Sequence, residues 1–139
     1  MAHEPRPHWL QAFALPGVHS SVPLARQRVA EAARHNGLGG GDLFDLLVAV
    51  GEALTNAVRH GSPYREFDEV TVRVGLLGHA VIVEITDRGA GFGASRLCPP
   101  DALEVSGRGI PSMRALVDDL RFECHDGGTT VVLVKKIPS

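Results

Sequence analysis

The chain of 139 residues is poor in the features that would commit it to several common classes. It has only two cysteines, Cys98 and Cys124, and no C-x-x-C pair. A disulfide scaffold is thereby excluded, and a reduced, cytoplasmic setting is the expectation. No block of like charges interrupts the sequence, and the formal net charge is −2. A basic stripe of the kind that binds nucleic acid is absent, so no direct nucleic-acid partner is expected. No apolar run approaches the ~20 residues of a membrane span, and the first residues lack the basic-then-apolar order of a signal peptide. The seven histidines are scattered and H-E-x-x-H does not occur, which gives no zinc motif. There is no G-x-x-x-x-G-K-[ST], and no internal repeat or low-complexity tract.

What remains is the balance of a soluble globular domain, 44% apolar and 22% charged. Residues 1–8 read as a loose tail and 9–139 as one domain. "WLQAFAL" (9–15) reads as a strand ended by Pro16-Gly17. A helix follows through "PLARQRVAEAARHN", with Ser20 or Ser21 as cap and Asn36-Gly37 as stop. Asp42 is the expected cap of a second helix over about 43–60. Its apolar stripe is Leu43, Leu46, Leu47, Val50, Leu54, Ala57 and Val58. Strands are expected at 69–77 and 80–87 around Gly78-His79, then a loop of about twenty residues, a short helix in "GIPSMRALVDDL", and two strands around "DGG". This order predicts an α+β, two-layer sandwich, with helices on one face of a mostly antiparallel mixed sheet.

Four motifs carry candidate chemistry, and each also has an ordinary structural reading. Glu52 and Asn56 share one face of the second helix, one turn apart. Such a pair suits a proton acceptor beside a hard oxygen ligand for Mg²⁺, and equally suits a solvated helix face. His60, a turn further on, also fits a helix C-terminus. "DRGAGF" (87–92) follows a strand: Asp87 can accept from an exocyclic amine, and Gly89 and Gly91 allow close backbone approach before Phe92. The G-x-G-x-x-A that this segment contains is not a dinucleotide fingerprint, because Pro99-Pro100 stand where its helix would run. "SGRGI" places Gly107, Arg108, Gly109 and Ile110 at a helix start, which suits phosphate or a hinge. "GGTTV" places Thr129 at a turn, within reach of a base or simply opening a strand.

Taken in order, E-x-x-x-N-A-x-x-H-G, D-x-G-x-G-F, G-x-G-I and G-T-T resemble the nucleotide-binding boxes of the GHKL ATPases, which share the Bergerat fold. The wording of "EALTNAVRHG", "GRGIPSMRALVDDL" and "GTTVVLVKK" resembles the bacterial anti-sigma-factor serine/threonine kinases in particular, over about residues 9–136. That resemblance implies ATP and Mg²⁺ as cofactors. It implies Asn56 as the Mg²⁺ ligand, Glu52 as general base, Asp87 at the adenine amino group with Gly91 and Thr129 beside it, and residues 107–109 along the phosphates. Residues 92–106 would form a lid.

The implied activity is phosphoryl transfer to a Ser or Thr of a STAS-domain anti-anti-sigma protein, by a homodimer that also holds a sigma factor. The alternative is a non-catalytic, ATP-gated binding regulator with the same pocket. One departure favours that alternative: several family members carry a basic residue before the Ser-Gly of the third box, where this chain has Val105, leaving Arg96 and Arg108 as the nearby cations. A sensor histidine kinase is a third reading, and it lacks a phosphoacceptor hairpin before residue 9.

Overall fold

The computed structural model describes residues 5–61, 69–87, 109–125 and 128–138. Strand β1 (His8–Pro16) leads into helix α1 (Ser21–His35) and helix α2 (Gly40–Gly61). Strands β2 (Glu69–Leu76) and β3 (Ala80–Asp87) form a hairpin, followed by helix α3 (Gly109–Leu116) and strands β4 (Asp119–His125) and β5 (Gly128–Lys136). The sheet order is β1-β2-β3-β5-β4, and each described pairing is antiparallel. The last strand is therefore inserted between β3 and the edge strand β4.

Period-two alternation decides which face the helices cover. Val70, Val72 and Val74 of β2, Val81, Val83 and Ile85 of β3, and Val131 and Leu133 of β5 join one buried cluster with the helical residues Ala25, Val29, Leu46, Val50 and Leu54. The opposite face carries a smaller cluster of Ala80, Ile82, Val132 and Val134, with Trp9 and Leu77 packed against it. There Arg73 reaches Glu84 at 2.6 Å and lies 4.1 Å from the centroid of the Trp9 ring.

Local details follow from side-chain chemistry. The first helix stops as expected: Asn36 Nδ2 donates to the Ala32 carbonyl at 2.8 Å, and Gly37 takes a left-handed φ of 101°. Its start differs. Ser20 is the N-cap but makes no side-chain cap bond, and Ser21 is buried as the first helical residue. Asp42 does not cap α2 either, because the helix begins two residues earlier; its carboxylate sits in the first turn, 3.8 Å from Lys135 Nζ. Leu47 is only partly buried at the edge of the core, whereas Ala49 and Ala53 face inward completely.

At Gly75 the backbone of β1 passes so close that an added Cβ would lie 2.3 Å from the His8 carbonyl oxygen and 2.9 Å from Trp9 Cα. The register shift between Trp9 and Gln11 falls beside it. A Gly75→Ala chain is expected to lose about 1–3 kcal/mol by forced separation of β1 from β2. A urea titration checks this as a lowered midpoint at unchanged slope.

Candidate nucleotide site

The insertion of β5 beside β3 brings together two residues 42 positions apart. Asp87, the last residue of β3, pairs in register with Thr129, the second residue of β5. Both continue rows that run Val83, Ile85, Asp87 and Leu133, Val131, Thr129, so both project from the helix-covered face. Core rows of valine and isoleucine thus end, at one edge of the buried layer, in a carboxylate and a hydroxyl. Asp87 is 7% exposed and Thr129 6%. Thr129 Oγ1 has no hydrogen-bond partner among the described residues. A buried hydroxyl left in that state costs about 1–3 kcal/mol, so it is a position at which a ligand with a polar edge gains. One step back along the strands, Thr86 and Thr130 join their hydroxyls at 2.9 Å on the other face and tie the two strand ends together.

Helix α2 supplies the second wall. Its first turn is held at the far end of β5, where Asp42 and Asp45 each lie 3.8 Å from Lys135 Nζ. Its later residues Leu54 and Val58 line a small apolar cavity with Val70 and Val72, and Val70 is the register partner of Asp87. The helix therefore runs from the Lys135 end of the sheet to the Asp87 end. Glu52 and Asn56 fall in this later half and are both half-buried, whereas Ala53, Leu54, Ala57 and Val58 between them are buried. The polar pair is a flank of the core stripe, not its opposite: partly covered, and accessible to a ligand. Four residues of helix separate the two by about 6 Å of rise.

His60 lies in the last turn of α2, with its side chain outside the described residues. Gly109 and Ile110 open α3, the Ile110 side chain likewise lying outside. Gly89, Gly91, Phe92, Gly107, Arg108 and the segment 92–106, with Arg96 and Val105, also fall outside the described residues. Of the expected site, the structure thus places Glu52, Asn56, Asp87 and Thr129, and it assigns the start of α3 to Gly109.

The donor set fits a purine nucleotide. A buried carboxylate accepts from an exocyclic amine, a neighbouring hydroxyl donates or accepts at the ring, and a carboxamide oxygen is a hard donor suited to Mg²⁺. A family model, the histidine kinase-like ATPase domain, matches residues 16–135. The chain belongs to that family. Among its curated relatives is the serine-protein kinase RsbW of Bacillus mycoides (strain KBAB4), 30% identical over 88% of this chain and 82% of its own length. The serine-protein kinase RsbW of Bacillus cereus (strain G9842) is 30% identical over the same shares.

Two solved structures share the fold. The RsbU and RsbW domains of Rv1364c from Mycobacterium tuberculosis superpose with a TM-score of 0.67 at 23% identity, over 92% of this chain and 33% of that one. The histidine kinase domain of the Erythrobacter litoralis EL346 blue-light activated histidine kinase gives 0.58 at 18% identity, over 88% of this chain and 61% of that one. No described helix is long and apolar enough to cross a membrane.

The residue that sequence reasoning passed over is Lys135. It is a lysine only 9% exposed near the end of the last strand, with its amine 2.7 Å from the Leu116 carbonyl oxygen. The one signal available was its parity with Leu133 and Val131, which assigns position 135 to the inward row.

Proposed function

We propose that the chain is an ATP-dependent serine/threonine protein kinase and anti-sigma factor, acting on a STAS-domain anti-anti-sigma protein and holding a sigma factor by direct contact. The observation that carries the reading is the Asp87–Thr129 pair at the end of the apolar rows, with a Thr129 hydroxyl that has no partner among the described residues, and the half-buried Glu52 and Asn56 on the half of α2 that runs to the same end of the sheet. Asp87 accepts the adenine amino group and Thr129 bonds at the ring. Asn56 would hold Mg²⁺, which would neutralise charge at the phosphates. Glu52 accepts the proton of the acceptor hydroxyl as its oxygen bonds to the γ-phosphorus and the bond from that phosphorus to the β,γ-bridging oxygen breaks; ADP leaves. Such transfer depends chiefly on positioning and on stabilised charge.

The homodimer belongs to the same proposal. Support comes from Leu10 on the edge strand β1 and Leu24 on α1, which are 39% and 55% exposed. The alternative, a regulator gated by ATP without phosphotransfer, is favoured by Val105, where several members of the resembled kinase family carry a basic residue.

The deciding experiment incubates the purified chain with Mg²⁺ and ATP labelled at the γ-phosphate, together with STAS-domain proteins encoded beside sigma factors. Label on a Ser or Thr of the STAS protein is the expected result. Saturable ATP binding by calorimetry without any transfer establishes the gated regulator instead, and no binding at millimolar ATP ends both readings.

A further inference from the structure

We infer that Lys135 is a positioning residue for the phosphate end of the site, acting through helix α3; the inference rests on the nucleotide-binding reading above. The helix has eight residues, Gly109–Leu116, too few to hold its place by its own hydrogen bonds. Two anchors fix it. One is Met113, fully buried in the core beneath it. The other is a clamp at its C-terminal end, made by three consecutive residues of β5. The Lys135 amine donates to the Leu116 carbonyl at 2.7 Å, the Asp118 N–H donates to the Val134 carbonyl at 2.8 Å, and the Lys136 N–H donates to Asp118 Oδ2 at 2.7 Å.

Leu116 is the last residue of the helix, so its carbonyl has no partner within the helix and lies at the negative end of the dipole. A buried cation completes it. The same amine faces Asp42 and Asp45 at 3.8 Å, both in the first turns of α2. One ammonium group therefore joins the start of α2, the end of α3 and the sheet.

From that clamp to Gly109 is about 10 Å along the helix, a stiff rod of two turns. Gly109 closes the G-x-G that the sequence offers to phosphate. Displacement at Leu116 is transmitted along the rod to that end, whereas Asp87 and Thr129 are carried by the paired strands β3 and β5. Loss of the clamp therefore weakens recognition of the triphosphate and spares recognition of the base.

The test compares ATP and adenosine binding, by calorimetry and by ligand-observed NMR, in the full chain and in Lys135→Met, Lys135→Arg and Asp118→Ala. Lys135→Met is expected to lose about tenfold in ATP affinity with adenosine unchanged, and Asp118→Ala about threefold in the same selective sense, since the Lys135 bond is partly buried and the Asp118 bond is exposed to water. Lys135→Arg should recover most of the loss. Asp118 is exposed, so its variant carries the test if Lys135→Met does not fold. Parallel loss of ATP and adenosine, or no loss of either in folded variants, overturns the role of Lys135 and leaves the nucleotide site standing. A wild-type chain that binds neither ligand removes the nucleotide reading and this inference with it.

Discussion

Asp87→Asn should cost roughly ten- to hundredfold in ATP affinity, the equivalent of one hydrogen bond to a charged acceptor. The carboxylate is all acceptor; a carboxamide in its place can turn an NH₂ toward the adenine amine and lose the bond. The cost is expected to fall on binding rather than on folding. Asp87 stands at the end of its strand, and an asparagine of nearly equal volume keeps the backbone pairing with Thr129. Thermal unfolding of the empty protein should therefore shift little while the calorimetric titration with ATP flattens.

A second readout separates recognition from general damage. Guanine presents a carbonyl where adenine presents an amine, so the native carboxylate repels it and the carboxamide can donate to it. The variant should lose ATP-over-GTP preference, and GTP affinity should hold or rise. If ATP and GTP affinities fell together, Asp87 would be supporting the pocket wall, not reading the base.

How much of this was legible follows from which signals are local. Helix α2 and the β2–β3 hairpin were legible because their patterns are short-range: the stripe from Leu46 to Val58 repeats at helical spacing, and Gly78-His79 closes a two-residue turn with Leu77 and Ala80 bonded to each other in both directions. The ends of elements were less so. Asp42 looks like a cap when only its neighbours are considered, but Lys135, 93 residues on, draws its carboxylate.

The strand order was not legible by periodicity. Nothing in "LRFECH" or "TTVVLVKK" says that the second inserts beside β3, since alternation fixes which face a residue takes and not which strand it meets. Asp87 and Thr129 were each singled out from their own motif, and only the family resemblance joined them. Glu52 and Asn56 were legible as sharing one helix face, but their half-burial was not, since it comes with the buried Ala53 and Ala57 beside them.

Glu52→Gln tests the chemistry rather than the pocket. Glu52 lies one turn before Asn56 on a helix whose core side is held by Val50, Ala53 and Leu54, all 3% exposed or less. Glutamine occupies nearly the same volume on this half-buried flank, so the helix should hold its place and ATP affinity should stay at the wild-type value. What changes is the capacity to accept a proton. General-base catalysis of this kind contributes about 10²–10⁴ in rate, and the transfer of label from ATP to the STAS serine or threonine should fall by that factor in single-turnover conditions.

Asn56→Ala should behave in the opposite way, weakening the Mg²⁺ dependence of ATP binding before any effect on the proton. The two side chains, a turn apart on one helix face, would thus separate into a group that binds and a group that reacts. Transfer at the wild-type rate in Glu52→Gln would remove the carboxylate from the reaction. The proton of the acceptor hydroxyl would then have to go to phosphate oxygen or to water, and α2 would be left with a binding role alone.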